Sequence, residues 1–74
     1  MLSFQELRTG QRLREVHPTL FGQLPKEWIV QEIFRGTDGI QYARIARAAD
    51  QSEAKTLSVG VLTDRRRFAI VRET

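Results

Sequence analysis

The hydrophobic residues of this chain fall into short runs separated by polar turns, and the two strongest runs, residues 28–34 and 40–48, are neighbours in the sequence. Both runs are rich in β-branched and aromatic residues, which favour strands. Between them, Asp38 and Gly39 supply the positive φ angle that a short loop needs. The pattern predicts a β-hairpin around which the other elements are arranged.

Three further strands are predicted around this hairpin, at residues 11–16, 55–61 and 68–72. The first alternates only weakly, as an edge strand does, and Pro18 should end it because proline has no backbone N–H. The second has the cleanest alternation of the chain, with Leu57, Val59 and Val61 on one face. A single turn of 3₁₀ helix is predicted at residues 61–64, before the last strand.

The N-terminus carries a weaker signal. Ser3 and Glu6 have the spacing of a capping box, in which each side chain satisfies a backbone N–H of the first helical turn. A short helical turn over residues 4–8 is one prediction, and an ordered but irregular arm is the alternative.

The order of these elements is five short strands, with a long loop after the first, a tight hairpin and a helical turn before the last strand. This order resembles that of SH3-like barrels. The resemblance is to an architecture, and it implies an all-β, five-stranded SH3-like barrel over residues 1–74, with an OB-like or Sm-like barrel as alternatives. The predicted core consists of Leu13, Val30, Ile33, Ala43, Ile45, Leu57, Val59, Leu62, Phe68 and Ile70.

The composition fits a single small domain. A chain of 74 residues buries only roughly 60% of the surface that its unfolded form exposes, so its stability is marginal unless a partner contributes. It contains no cysteine and one histidine, which argues against a disulfide framework or a zinc site. No apolar stretch of about 18 residues occurs, and the N-terminus does not have the pattern of a secretory signal. We therefore expect a cytoplasmic protein that does not enter a membrane.

Catalytic motifs are not found. The single histidine, His17, precedes a proline in a predicted loop, where a solvated side chain is the ordinary outcome. The sequence has no nucleophile elbow, phosphate loop or dinucleotide-binding motif, and nothing in it indicates a metal site or a cofactor. We expect a binding module that is not an enzyme.

The positive charge of the chain lies in its second half. Residues 1–40 carry five basic and five acidic residues, whereas residues 41–74 carry seven and four, which accounts for the whole net charge of +3. In small barrels, arginines that contact phosphates and an aromatic ring that stacks on a base make a nucleic-acid site. The candidates for such a site are Tyr42, as the stacking ring, with Arg44, Arg47, Arg65, Arg66 and Arg67. The alternative is a solvated strand face and turn, with the arginine excess set by genomic base composition.

The long loop suggests a different function. It contains three large apolar residues, Leu20, Phe21 and Leu24, although loops are usually polar. These side chains either cover an open end of the barrel or, together with Trp28, contact a protein partner. Three large apolar residues in a loop are harder to explain without a function than a mild arginine excess is. We therefore favour protein binding or self-association through residues 17–28, with nucleic-acid binding as the alternative.

Overall fold

The computed structural model describes residues 7–16 and 25–71. Within these ranges the chain forms five strands and one short helix: β1 Arg12–Glu15, β2 Glu27–Arg35, β3 Gln41–Arg47, β4 Ala54–Ser58, α1 Val59–Leu62 and β5 Phe68–Val71. Most of the helical turn predicted at residues 4–8 lies outside the described residues. The loop residues Leu20, Phe21 and Leu24 also lie outside them.

The five strands form one antiparallel sheet in the order β4-β3-β2-β1-β5. The strands β4 and β5 are its two edges, so the prediction of an edge strand at residues 11–16 was wrong: β1 pairs with both β2 and β5. The sheet curls into half a barrel, and α1 packs beside β3 and β4. The prediction of a mostly β fold is therefore confirmed at the level of a curled five-stranded sheet, and the core lies on its concave face.

The β2–β3 hairpin has the predicted turn. The backbone N–H of Gly36 donates to the Ile40 carbonyl at 2.8 Å, and Gly39 has a φ angle of +82°. The Asp38 carboxylate accepts a 2.9 Å hydrogen bond from the backbone N–H of Ile40. This is the local bonding that makes Asp-Gly a turn signal.

A β-bulge in β2 keeps its apolar residues on the concave face. Val30 pairs with Ile45 and Glu32 with Arg44, so Gln31 has no partner on β3. Without this extra residue, Val30 and a residue three positions later would point to opposite faces. The bulge explains why Ile33 also packs against the core.

The core agrees with the prediction. All ten predicted residues are either buried or packed against the buried cluster. Trp28 joins them and is only 2% exposed. Ala46 is also fully buried, although its alternation with Ala43 and Ile45 indicated the solvent face. It pairs with Ile29 on β2 and Ala54 on β4, so its methyl group has apolar neighbours on both sides.

The strand predicted at residues 55–61 ends earlier than its pattern indicates. The helix α1 begins at Val59, because the Ser58 hydroxyl caps it by accepting a 3.2 Å hydrogen bond from the backbone N–H of Val61. The prediction of a strand through Val61 was wrong, and the helical turn begins two residues before the predicted one. In the part of the chain that the structure describes, no helix has the length and apolar character needed to cross a membrane.

Candidate functional site

An open cleft of about 440 Å³ lies between the two edge strands, and we call it the edge cleft. Its lining comes from the end of β1, from β4, from α1 and from the start of β5. Four of the lining residues are apolar, three are cationic and one is a carboxylate. They are Val16, Leu57, Val61, Phe68, Lys55, Arg66, Arg67 and Glu15.

The register of the strands turns these side chains into the cleft. Lys55 and Leu57 are two residues apart on β4 and pair with Ile45 and Ala43, which are buried on the concave face. On the other side of the cleft, Phe68 pairs with Glu15 at the end of β1. The concave face of the sheet therefore continues into the edge cleft.

The β1–β5 ladder extends one residue beyond β1. The backbone N–H of Val16 donates to the Arg67 carbonyl at 2.8 Å. This bond holds the Val16 side chain, which is 44% exposed, at the mouth of the edge cleft. A large exposed apolar side chain in this position is available for contact with a partner.

A polar cluster lies between the core and the cleft. The indole Nε1 of Trp28 donates a 2.7 Å hydrogen bond to Oε2 of Glu15. The ammonium of Lys55 lies 4.0 Å from the same oxygen and 4.4 Å from the centroid of the Trp28 ring. Trp28, predicted as a protein-contact residue together with the loop, has a buried ring, and its one polar side-chain atom is already bonded to Glu15.

The arginine triplet lies in the turn between α1 and β5, where Arg66 and Arg67 are at the rim of the cleft and Arg65 lines a different cavity. Asp64 organises this turn, since its carboxylate accepts from the backbone N–H of Arg66 at 2.9 Å and pairs loosely with the guanidinium groups of Arg66 and Arg67 at 3.4 and 3.8 Å. The backbone hydrogen bond from Arg66 is the main cause of the lowered pKa of Asp64. The two arginine side chains are 90% and 67% exposed, so these ion pairs leave them available to a ligand.

The structure does not gather the predicted nucleic-acid residues on one surface. Tyr42 and Arg44 share the convex face of β3, whereas Arg66 and Arg67 line the edge cleft on the concave side. Arg47, at the end of β3, donates to Oε1 of Glu53 at 3.0 Å. An interface that uses all these arginines together is therefore not formed.

Tyr42 has a structural role in the hairpin. Its hydroxyl donates a 2.6 Å hydrogen bond to Oδ2 of Asp38, and its ring stacks on Phe34 with centroids 6.0 Å apart. The ring also lies against Gly36, where an added Cβ would be 2.7 Å from Cε2 of Tyr42. The hydrogen bond raises the pKa of Tyr42 and lowers that of Asp38. Because Phe34, Gly36 and Asp38 already contact it, this residue is poorly placed to stack on a base.

Two charged residues of the cleft, Lys55 and Glu15, were not among the predicted site residues, although their positions in the alternating pattern of the sequence indicated them. Lys55 shares the inward parity of Leu57, and Glu15 shares that of Leu13, so both charges occupy positions that alternation assigns to the concave face. Inward-facing charges of opposite sign on two strands, β1 and β4, are unusual enough to indicate a site. Among the residues that the structure describes, no three histidine, cysteine or acidic side chains cluster as a metal site would require.

Comparisons of this chain with protein-family models, with curated proteins and with solved structures found no match. The function is therefore inferred from the chemistry of the edge cleft.

Proposed function

We propose that this protein is a non-enzymatic binding module, built as an incompletely closed SH3-like barrel, that binds an acidic and apolar polypeptide segment in the edge cleft. The strand order β4-β3-β2-β1-β5, with a helical turn between β4 and β5, supports the architecture. The observation that carries the function is the cleft itself, which has apolar walls and a cationic rim and lies between two sheet edges.

The sheet edges favour an extended ligand. Among the described elements, β4 and β5 each pair with a neighbouring strand on one side only. The free side of an edge strand presents backbone N–H and C=O groups, to which a partner strand can add by β-augmentation. A segment lying along either edge would continue the sheet across the cleft.

The apolar walls favour a polypeptide over a nucleic acid. Val16, Leu57, Val61 and Phe68 are the apolar residues that line the cleft. Burying apolar side chains against these residues stabilises a complex by about 25 cal/mol per Å². An alternating strand presents every second side chain to one face, which is the arrangement this lining requires.

The rim determines the charge of the ligand. Lys55, Arg66 and Arg67 surround the cleft, and they outnumber the two nearby carboxylates, Glu15 and Asp64. Guanidinium groups bind carboxylates through two parallel hydrogen bonds. A partner segment with aspartate or glutamate beside its apolar residues satisfies both parts of the cleft, and such a segment in a second copy of this chain would make the protein self-associate.

The proposal is tested by selecting ligands from random displayed peptides of about 10 residues, which are long enough to form one strand. We expect the selected peptides to combine acidic and apolar residues. The variant R66E/R67E should bind them at least about tenfold more weakly, a loss of about 1.4 kcal/mol. The matched control is R44E, which makes the same charge change on the convex face and should leave affinity within about twofold.

Selection of no peptide, or of peptides that bind R66E/R67E as well as the parent protein, would contradict the proposal. Light scattering on the same samples identifies the partner. A mass that doubles with concentration in the parent protein, and stays monomeric in R66E/R67E, assigns the cleft to a second copy of the chain.

A further inference from the structure

A second cavity, of about 700 Å³, lies on the convex side of the sheet near the start of β2, and we call it the basic cavity. Four of its lining residues are cationic and one is acidic. The lining residues are Arg12, Arg14, Lys26, Arg47, Glu27, Pro25, Ala48 and Ala49. None of these side chains is aromatic.

Three strands bring the cations together. Arg12 and Arg14 flank Leu13, which is fully buried, so both arginines project from the opposite, convex face of β1. Lys26, the residue directly before β2, adds a third cation. The end of β3 adds Arg47, where the backbone N–H of Ala48 donates to the Glu27 carbonyl at 2.9 Å and ties the two strands together.

The single carboxylate of the cavity does not satisfy its cations. Arg14 donates through Nε and Nη2 to Oε2 of Glu27, at 3.3 and 3.0 Å. The Nη1 of Arg12 lies 3.6 Å from the other oxygen, which is too long for a good hydrogen bond. Because a guanidinium carries five N–H donors, most donors of these two arginines remain available to a ligand.

Arg47 also lines the basic cavity, from the end of β3. Its Nη1 donates to Glu53, but its Nε is buried and has no hydrogen-bond acceptor in the structure. A buried donor without an acceptor is destabilising.

We propose that the basic cavity binds a phosphate group. Three arginines and a lysine around one cavity match the charge and the several acceptor oxygens of a phosphate better than those of a single carboxylate. The described lining residues present cationic hydrogen-bond donors, which are the groups that contact phosphates. The group belongs either to a free phosphate monoester or to the backbone of a nucleic acid, and its site is on the opposite side of the sheet from the edge cleft.

The test is an amide-shift titration of the full chain with inorganic phosphate and, separately, with a single-stranded oligonucleotide of mixed sequence. We expect saturating shifts at Arg14, Lys26 and Ala48. The variant R12Q/R14Q should weaken binding at least tenfold, and K26Q, at an exposed position, should weaken it in the same direction. The matched control is R44Q, which removes the same charge from the convex face outside the cavity and should leave affinity within twofold.

The two titrations distinguish the sources of the phosphate. Binding of the oligonucleotide at least tenfold tighter than that of inorganic phosphate, with affinity falling steeply as salt rises, assigns the site to a nucleic-acid backbone. Comparable binding of inorganic phosphate assigns it to a monoester. The proposal would be overturned if neither probe shifted these amides, or if R12Q/R14Q and K26Q both bound as tightly as the parent protein.

Discussion

The indole of Trp28 and the carboxylate of Glu15 are joined by a 2.7 Å hydrogen bond at the boundary between the core and the edge cleft. The ring is buried and the carboxylate is 13% exposed. The largest side chain of the core is therefore fixed by a polar group that also lines the proposed binding site. Changes at position 15 should consequently affect stability as well as the cleft.

The first prediction concerns this hydrogen bond. Replacing Glu15 with leucine removes the acceptor and leaves the Nε1 of Trp28 buried without a partner, which should cost about 1–3 kcal/mol. Glu15→Gln keeps an acceptor oxygen and should cost clearly less. Urea denaturation followed by Trp28 fluorescence measures both variants, and equal midpoints for the two would argue against the bond.

The second prediction tests the core and its register. Ile45 is fully buried between β2 and β4, so Ile45→Ala should lower the free energy of unfolding by about 2–5 kcal/mol. The matched control is Ile40→Ala, which makes the same change at a side chain that is 49% exposed. The control should cost less than about 1 kcal/mol. A cost below about 1 kcal/mol at Ile45 would be incompatible with the pairing described.

The third prediction compares two glycines. A Cβ at Gly36 would meet Tyr42 at 2.7 Å and Asp38 at 2.8 Å, so Gly36→Ala should destabilise the protein by about 1–3 kcal/mol. At Gly60, in α1, the nearest atom would be 4.0 Å away. Gly60→Ala should therefore stabilise by up to about 1 kcal/mol, because alanine is the better helix former. Thermal unfolding of the two variants should shift in opposite directions, and a shift of both in the same direction would refute the packing at Gly36.

The fourth prediction is a pH dependence. The hydroxyl of Tyr42 is the main cause of the lowered pKa of Asp38, ahead of the backbone N–H of Ile40. Because the folded pKa is below the unfolded one, Asp38 contributes stability above the ordinary carboxyl pKa of 3.8, and this contribution is lost as pH falls through the folded pKa. Tyr42→Phe should raise the pKa of Asp38 and reduce that acid-dependent loss of stability.

Carboxyl-carbon NMR titration measures this change directly. Asp50 is the internal control, since its pKa is lowered mainly by the side chain of Ser52, and it should not respond to Tyr42→Phe. An unchanged pKa at Asp38 would show that the tyrosine hydroxyl does not bind it in solution.

Local signals predicted most of the fold. The hairpin follows from its apolar runs and from Asp38-Gly39, and alternation placed Leu13, Ile45 and Leu57 on the concave face. The end of β4 was missed because Val59 and Val61 continue an alternating β-branched pattern, while the decisive contact is the hydroxyl of Ser58 capping α1. The alternating pattern favours a strand and the serine favours the start of a helix, and periodicity alone does not show which of the two preferences determines the structure.

The site was less predictable because it depends on the curl of the sheet. Alternation places Lys55 on the concave face, but not beside Arg66 and Arg67, which come from a turn at the opposite edge. Likewise, the net charge of the first half of the chain gives no indication of the basic cavity. The basic residues there, including Arg12 and Arg14, are equal in number to the acidic ones. Only the pairing of β1 with β2 and β2 with β3 brings these arginines close to Arg47.

The measurement that tests the central claim most directly is an amide-shift map of the protein titrated with a selected acidic peptide. We predict shifts concentrated at Lys55, Leu57, Arg67 and Phe68. These shifts should be lost in R66E/R67E and should be absent with a version of the peptide that carries lysine in place of its acidic residues. Shifts confined to the convex face around Arg44, or shifts that persist with the lysine peptide, would contradict binding in the edge cleft.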